Sequence, residues 1–526
     1  MRFEPPCRRP LYFLALMIVA MTGVVSAVPL ETRDLELHDG RVLRLEQGTI
    51  DVPENRSVDA SRAVSIGFMR IPGLPDAAGP PTVMLAGGPG GSYIERIEEG
   101  PERQRLLMLT VDLYRQVGDV LFVDLRGVFR STPNTLCDGA PDKWRRMATE
   151  ADYRAVVRSS GEACRQKLLD EGFDLAGYVV TEAAADVVAV FDALGIERFN
   201  VHGVSFGSHW ALTLLKYHGN RVERAVLSGV EGFDDTFDDP AEVRRTVQAL
   251  SDAAVPAWSE TAGYGSPLEA LDGLMRAALA GGPEAPALRP HELAVLATSG
   301  QGYALGRRSG MAGWPDAVAD YATDRVLPIE VLFRNFGARF AGPTGWGGAA
   351  VGLFDCASGI SAERNARLRA TEDPLFQRHA FLFYDAYCEG WNVEELPDEF
   401  RASVVIDTPT LMVQGDVDTA TPLDNAVRLE PFLANGHLTV VEGGSHGAYW
   451  ESLDGLEAFE GQVLTWLRGG GPPPAGVKLA PPRFEPVDLG VRLVVWLVLG
   501  GLTLIAGVGH LWSWRRRRRV LGGGTV

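Results

Sequence analysis

The chain has 526 residues, with 50 Lys and Arg against 68 Asp and Glu, and its formal net charge at pH 7 is −18. A hydrophobic fraction of 46% beside 22% charged residues is that of a globular protein and excludes general disorder. The acidic balance excludes a nucleic-acid binder, which needs a basic face to displace phosphate counterions, and the length predicts one large domain with an insertion, or two domains.

The first 27 residues predict a secretory signal peptide. A pair of arginines precedes an apolar run at 11–25, which is too short to span a bilayer comfortably. The small residues Val25 and Ala27 fit the pattern of a cleavage site, so we expect cleavage after Ala27. An uncleaved N-terminal anchor is the alternative.

The body alternates short apolar runs with helical patterns, which predicts an α/β fold with a mainly parallel sheet. Its core is expected in two parts, residues 28–230 and 406–468. The intervening residues 231–405 carry helical patterns separated by Gly/Pro-rich breaks and are interpreted as a large, mostly helical cap; an independent second domain is the alternative. Strands are predicted at residues 63–69, 82–86, 120–124, 199–204, 224–227, 410–414 and 438–441, and helices at 181–194, 241–254, 267–280 and 291–297.

Four cysteines remain after the signal peptide, an even number that allows three pairings. We predict that near neighbours pair, Cys137 with Cys164 and Cys356 with Cys388. Reduced, buried thiols are the alternative. The sequence has no C-x-x-C pair, so it predicts neither a zinc site nor a redox motif.

The C-terminal end predicts a membrane anchor. A Gly/Pro-rich linker at 469–490 leads to a transmembrane helix at 491–512, whose apolar stretch is long enough to cross the hydrocarbon core. Five consecutive arginines open the tail at 513–526 and are expected on the cytoplasmic side, which places the body outside the cytoplasm, in the periplasm or at the cell surface. A buried core helix and a sorting signal that is later cleaved are the alternatives.

The strongest chemical signal is the G-x-S-x-G motif at 203–207, between a predicted strand and a predicted helix. In a nucleophile elbow the serine occupies a strained turn, so only small residues fit two positions before and after it. This context predicts Ser205 as a nucleophile whose side chain stands above the edge of the sheet.

A serine nucleophile needs a base, and the base needs an orienting carboxylate. His446 lies in a Gly-rich loop after the last predicted strand, and it is the one histidine of nine with this context. Asp416 and Asp418 directly follow the preceding strand, and both loops are at strand C-terminal ends, where α/β sheets build their sites. Spacing alone leaves the choice between the two acids open.

Two further loops follow early strands. The glycines at 87–91 allow backbone N–H groups to approach a developing oxyanion, together with the N–H of Phe206. A phosphate-binding loop is excluded there, since the run has neither G-K-[ST] nor G-x-G-x-x-G. The turn at 124–131 is expected to be held by an ion pair between its Asp and an Arg.

Taken in order, these motifs resemble the prolyl-aminopeptidase and tripeptidyl-aminopeptidase branch of the α/β hydrolases, which are metal-independent serine exopeptidases. The resemblance implies a triad of Ser205, Asp418 and His446, and an oxyanion hole formed by Gly88 and Phe206. It covers roughly residues 40–470 and rests on GGPGGS at 87–92, DLRGVFRS at 124–131, GVSFG at 203–207, GDVDTATP at 415–422 and GGSHG at 443–447.

Two departures from the pattern concern specificity and packing. Ala86 stands where prolyl enzymes have the His of HGGPG, which weakens strict prolyl specificity, and Val128 and Phe129 replace small residues of the following turn. The long cap, the export signal and the four cysteines look more like the tripeptidyl group.

We therefore expect a membrane-anchored, extracytoplasmic serine aminopeptidase that acts on short peptides without cofactor or metal. Recognition of a free ammonium calls for carboxylates in the cap. Glu231, in the acidic stretch 231–239, is the first candidate, and most of that stretch is expected to be a solvated acidic face. The alternatives are a carboxylesterase with the same triad and a catalytically silent binding protein; the oligomeric state is left open.

Overall fold

One twisted sheet organises the described part of the molecule. Its strands follow the order β1-β2-β3-β5-β4-β6-β7-β8-β9-β10. The pairs β1/β2, β2/β3 and β3/β5 are antiparallel, and every later pair is parallel. The computed structural model describes residues 28–480 except 38, 138–148, 259–262, 283–285, 287, 298–317 and 320–348, and also residue 484.

The burial and composition of each strand decide whether it can be predicted from the sequence. Central strands are apolar on both faces, and all four residues of β4 and of β5 are buried. Edge strands are charged, and β1, whose sequence is ETRDLE, was not predicted; the interior strand β2, which alternates exposed and buried residues over much of its length, was not predicted either. The strands are β1 Glu31–Glu36, β2 Val42–Pro53, β3 Ala63–Ile71, β4 Thr82–Leu85, β5 Val120–Val123, β6 Phe199–Ser205, β7 Val222–Val230, β8 Thr410–Gly415, β9 Gly436–Glu442 and β10 Val477–Lys478.

Helices cover both faces of the sheet, so that two large apolar clusters form, one on each side. The predicted helix at 181–194 is α4, and its apolar stripe, which includes Val187 and Phe191, is fully buried. The helices that accompany the sheet are α1 Tyr93–Glu98, α2 Pro101–Arg115, α3 Glu150–Asp170, α4 Val180–Ala193 and α5 Phe206–His218. The set is completed after β8 by α13 Leu423–Leu429, α14 Ala448–Gly455 and α15 Glu457–Leu467.

Between β7 and β8, the described residues form helices and no strand of the sheet. Part of them build a separate apolar cluster around Val243, Val247 and Leu271, whereas Phe354 and Trp391 belong to the cluster on one face of the sheet. These helices are α6 Pro240–Ala254, α7 Pro267–Ala280, α8 Pro290–Ala297, a π-helical turn Val351–Asp355 that continues into α9 Cys356–Ser358, α10 Ala362–Arg369, α11 Phe376–Trp391 and α12 Asp398–Arg401. We refer to Val351–Asp355 and α9 together as the 351–358 helix.

The structure joins Cys137 to Cys164 and Cys356 to Cys388, which is the pairing that the sequence favours. The Cα atoms of the two pairs are 5.5 and 5.2 Å apart. The first disulfide ties the loop after β5 to α3, and the second ties the 351–358 helix to α11.

The predicted linker begins as part of the sheet. Lys478 and its neighbour form β10, which pairs in parallel with β9, and the carbonyl of Pro474 accepts a hydrogen bond from His437 at 2.9 Å. The predicted start of the linker at 469 is therefore corrected. The Gly/Pro-rich composition changes there, but backbone groups at 474–478 still pair with β9 at the edge of the sheet.

The predicted signal peptide at 1–27, the predicted transmembrane helix at 491–512 and the predicted tail at 513–526 lie outside the described residues. Among the helices that are described, none is both long enough and apolar enough to span a bilayer.

Candidate active site

Ser205 occupies a sharp turn between β6 and α5. Its backbone has φ 59° and ψ −132°, a conformation that costs free energy for a residue with a Cβ. A Cβ at Gly203 would collide with the carbonyl oxygen of Gly207, and one at Gly207 would collide with that of Leu85. The two glycines of G-x-S-x-G are thus required by backbone packing, and they allow the turn that lifts the serine above the sheet.

His446 lies beside this turn, in the loop between β9 and α14. Its Nδ1 is 3.0 and 3.1 Å from the two carboxylate oxygens of Asp418. The ring packs on Gly229, where an added Cβ would be only 2.8 Å from Cε1 of His446. Gly229 directly precedes Val230, the residue of β7 that pairs with Ser205. The parallel sheet therefore brings the predicted base next to the predicted nucleophile.

The structure also separates the two candidate acids. Asp418 is fully buried and accepts hydrogen bonds from Gln414 Nε2 at 2.9 Å, Thr421 Oγ1 at 2.7 Å, and the backbone N–H groups of Ala420 and Thr421 at 2.9 and 3.0 Å. Burial alone would raise the pKa of Asp418, but His446 and the hydrogen bonds from Thr421 outweigh burial and hold the pKa below its usual value. The carboxylate is thus kept ionised against the imidazole.

Asp416 binds the backbone of the loop that leads to His446. Its Oδ1 accepts a hydrogen bond from the backbone N–H of Gly443 at 2.7 Å, which holds the turn that precedes His446. The structure therefore brings Asp418 to the histidine, and Asp416 to the backbone of the neighbouring loop.

The glycine loop after β4 passes directly beside Ser205. A Cβ at Gly87 would be 2.8 Å from Cβ of Ser205, and the loop closes by a hydrogen bond from Gly91 N to Gly87 O at 3.0 Å. Gly88 has φ +132°, a conformation that side chains disfavour, while Phe206 is the first residue of α5. The two residues predicted as an oxyanion hole therefore flank the serine on separate segments.

A buried carboxylate anchors the end of this loop. Ser92 Oγ donates to Asp124 at 2.6 Å, and the same carboxylate accepts from the backbone N–H of Arg130 at 3.1 Å. Burial raises the pKa of Asp124 to about 7 against the lowering effect of these hydrogen bonds. The ion pair expected within the turn at 124–131 is wrong: Arg126 instead pairs with Asp186 at 2.7 Å, because its side chain turns into the core.

Carboxylates gather where the cap meets the nucleophile. Glu231 directly follows β7, and its N–H donates to Ser208 Oγ at 2.8 Å. Asp355, the last residue of the π-helical turn, is 4% exposed and receives a hydrogen bond from Tyr384; its Oδ1 has no hydrogen-bond partner among the described residues. Asp238 lies close enough to act on the charge of Glu231. We call Glu231, Asp238, Asp355 and Tyr384 the acidic cluster.

The electrostatics of the cluster disfavour its own charges. Removal from solvent raises the pKa of Glu231 well above its usual range, and repulsion by Asp355 and Asp238 raises it further. Burial likewise raises the pKa of Asp355, with the hydrogen bond from Tyr384 opposing the rise. Asp355 is buried, whereas Glu231 retains partial exposure among the described residues. Each charged group of the described residues that shifts the pKa of Glu231 is an acid, so a positively charged ligand would be favoured beside it.

Sequence reasoning named Glu231 but missed Asp355 and Tyr384. Both lie more than 100 residues further along the chain, with no motif around them, so no local signal pointed to them.

The expected solvated face at 231–239 is also corrected. Asp235 is buried between Arg364 and Arg428, at 2.9 and 2.8 Å, and Asp234 binds Ser361 at 2.6 Å. Asp235 thus links the cap to Arg428 of the core, and Asp234 links two segments of the cap.

No group of three or more His, Cys, Asp or Glu in the described ranges is arranged to hold a metal ion. His202 is fully buried in β6, where burial lowers its pKa to about 3, as expected of a core histidine.

The fold and this site define an α/β hydrolase. The family described as "alpha/beta hydrolase fold" matches residues 80–268, and the one described as "TAP-like protein" matches residues 373–478. The first match contains Ser205, and the second contains Asp418 and His446.

Two curated relatives carry the same name. A tripeptidyl aminopeptidase of Streptomyces coelicolor (strain ATCC BAA-471 / A3(2) / M145) is 25% identical over 448 residues, which cover 75% of this chain and 75% of that protein. The tripeptidyl aminopeptidase of Streptomyces lividans is 25% identical over 412 residues, 69% of this chain and 70% of that protein. The chain is thus a hydrolase of the α/β-hydrolase fold, related to the tripeptidyl aminopeptidases, and the family resemblance stated from its motifs is confirmed.

A solved structure gives a weaker likeness. The α/β hydrolase MGS-M2 from a Medee basin deep-sea metagenome library has 14% identity and a TM-score of 0.34, and covers 79% of this chain and 98% of that chain. At that score the likeness adds nothing to what the strand order shows.

Proposed function

We propose that the protein is a serine aminopeptidase that hydrolyses short peptides from a free N-terminus. Ser205 Oγ attacks the carbonyl carbon of the scissile bond, while His446 takes its proton and later returns it to the leaving amine. Asp418 holds His446 in the required tautomer and stabilises the imidazolium. The N–H groups of Gly88 and Phe206 stabilise the oxyanion, and water then hydrolyses the acyl-enzyme.

The acidic cluster is the observation that supports an aminopeptidase rather than an esterase. A peptide N-terminus carries a positive charge at neutral pH, and an ester substrate has no such group. Glu231 stands one residue beyond the strand position paired with Ser205, so a charge bound there lies near the proposed nucleophile. Oδ1 of Asp355, which has no hydrogen-bond partner in the part of the chain that the structure describes, would provide an acceptor for the ammonium. Binding of the ammonium would relieve the repulsion between the carboxylates.

The number of residues released depends on the distance between the cluster and Ser205. Each extended residue spans about 3.5 Å, so a tripeptide needs about 10 Å and a single residue about 3.5 Å. The two relatives named above support tripeptidyl release, which we adopt as the proposal for this chain.

We also propose that the enzyme is exported and anchored in a membrane with its catalytic part outside the cytoplasm. The signal pattern at 1–27 and the apolar stretch at 491–512 support this location. The two disulfides are typical of an oxidising compartment.

The test is a panel of fluorogenic amides with one, two or three residues before the fluorophore, each with a free and an acetylated N-terminus. We expect rapid release from the free tripeptidyl amide and at least a tenfold lower kcat/KM for its acetylated form. Ser205→Ala should abolish turnover and labelling by a fluorophosphonate. Equal rates on free and acetylated substrates would refute ammonium recognition, and hydrolysis of acyl esters alone would make the protein an esterase.

A pair of isosteric variants tests the cluster itself. Glu231→Gln and Asp355→Asn should each raise KM for the free tripeptidyl amide about tenfold or more, with a smaller effect on kcat. Glu363→Gln, on the exposed surface of α10, is the matched control and should leave both constants unchanged.

A further inference from the structure

We propose that the Cys356–Cys388 disulfide holds the acidic cluster in its binding geometry and thereby sets the preference for a free N-terminus. The inference rests on the proposed function, because it assigns a positioning role at the same site. It predicts that opening this disulfide makes the enzyme less selective while the hydrolytic machinery stays intact.

The disulfide joins the same two helices that the hydrogen bond from Tyr384 to Asp355 connects. Cys356 directly follows Asp355 on the 351–358 helix. Cys388 follows Tyr384 by four residues on α11, so the two side chains lie on the same face of that helix. The bond from Tyr384 to Asp355 and the disulfide therefore connect the same pair of helices, one turn apart.

The disulfide works against a force that the cluster itself creates. Glu231 and Asp355 have raised pKa values and repel each other when both are ionised, and Asp238 adds to the repulsion on Glu231, so ionisation favours their separation. Glu231 is on a rigid strand end of the core, whereas Asp355 is on the cap. The disulfide joins two helices of the cap, so it fixes Asp355 relative to Tyr384, while the contacts of His209 with Gly232 and Ser358 link these helices to the Glu231 loop.

Other contacts hold the 351–358 helix in place, one before the disulfide and one after it in the sequence. A Cβ at Gly352 would collide with the indole of Trp391, so the 351–358 helix and α11 are in direct contact there. After the disulfide, the carbonyl of Ala357 accepts a hydrogen bond from Leu396 N at 2.7 Å. The disulfide adds a covalent constraint to this packing contact.

The 351–358 helix is also connected to the catalytic side of the site. His209, on α5 just after Ser205, is 3.0 Å from the carbonyl of Gly232 and 3.1 Å from Ser358 Oγ through its two ring nitrogens. Burial lowers the pKa of His209 to about 4, so it forms these contacts as a neutral ring. Gly232 follows Glu231, so the contacts keep the Glu231 loop beside α9.

The second disulfide provides the matched control. Cys137 and Cys164 join the loop after β5 to α3 and belong to the apolar cluster on the face of the sheet, without joining Asp355 to Tyr384. Loss of either bridge removes one cross-link from a loop of similar length, 27 or 32 residues, so the general effect on unfolded-state entropy is alike.

The experiment compares the double variants Cys356→Ser/Cys388→Ser and Cys137→Ser/Cys164→Ser with the wild type. Three substrates are used: a free tripeptidyl amide, its acetylated form, and a small acyl ester without an amine. For the first variant we expect KM for the free amide to rise 10- to 100-fold, kcat to change less than threefold, and ester hydrolysis to stay at the wild-type rate. The control variant should keep the wild-type preference for the free amine.

If a double variant does not fold, the wild type is reduced stepwise with a phosphine and alkylated. The alkylated cysteines are identified by mass spectrometry, and the amine preference is measured on each species. Loss of preference that follows opening of 356–388 supports the proposal.

The proposal is overturned if the Cys356→Ser/Cys388→Ser enzyme keeps the wild-type ratio of free to acetylated turnover, or if both variants lose that ratio equally. A wild-type enzyme that does not distinguish the free from the acetylated amide refutes the proposed function, and this inference with it. The two failures are thus distinguished by the wild type alone.

Discussion

Replacing Asp418 with Asn tests the assignment of the acid most directly. Its Oδ1 accepts two backbone N–H groups, those of Ala420 and Thr421, which cannot reverse their polarity. The amide nitrogen of the variant must therefore take the place of Oδ2, facing His446 Nδ1. The imidazole then has to accept at Nδ1 and carry its proton on Nε2, where it cannot take the proton of Ser205.

The structure also leaves no easy compensation. Gln414 Nε2 donates to Oδ2 at 2.9 Å, and the Oε1 of the same amide accepts from Val230 N at 2.8 Å. A flip of Gln414 would restore one contact and break the other, so one buried group is left unsatisfied, at a cost of about 1–3 kcal/mol in stability. The wrong tautomer should lower kcat about 10⁴-fold, equivalent to about 5.4 kcal/mol in activation free energy.

The assay measures kcat and KM on the free tripeptidyl amide for Asp418→Asn and for Asp416→Asn. The second variant is the matched control, because an Asn Oδ1 at 416 can still accept the hydrogen bond from Gly443 N, and its kcat should stay within about threefold of wild type. Far-UV circular dichroism shows whether both variants are folded. Equal losses in the two variants, or more than a tenth of wild-type kcat in folded Asp418→Asn, would refute the reasoning.

Three further predictions concern the surroundings of the triad. Gly229→Ala adds a Cβ 2.8 Å from Cε1 of His446 at φ +54°, so displacement of the ring should lower kcat about 100-fold in steady-state kinetics. The pKa of Asp355 is raised, so the folded protein is stabilised by this group at low pH and loses that stabilisation as the pH rises through its pKa. Asp355→Asn removes the titration and should therefore raise Tm at pH 8 by a few degrees. Asp124 has a pKa raised to about 7, so wild-type stability should fall by up to about 4 kcal/mol between pH 4 and 7, and Asp124→Asn should flatten that slope in urea titrations.

Each of these has a clear contrary outcome. Wild-type kcat in Gly229→Ala would mean that His446 adopts another position. A lower Tm of Asp355→Asn at pH 8 would show that the ionised carboxylate stabilises the fold, and an unchanged pH slope in Asp124→Asn would place the titrating group elsewhere.

Local rules were sufficient where a function depends on adjacent residues. The nucleophile elbow is visible in the sequence because Gly203 and Gly207 must be small to allow the turn at Ser205. The central strands are visible because burial on both faces demands continuous apolar runs. The edge strand β1 was missed, since an exposed strand carries charged residues and looks like a loop.

Which residues meet at the edge of the sheet cannot be predicted from the local sequence. Asp416 and Asp418 have almost the same local context, and only the meeting of β8 with β9 brings one to His446 and the other to Gly443. Asp355 joins Glu231 because an inserted cap folds back over the end of β7. The sequence by itself predicted the class of chemistry and its candidate nucleophile, since these depend on turns and spacing. The tertiary structure decided which carboxylates lie beside the candidate site, because their proximity arises from contacts between segments distant along the chain.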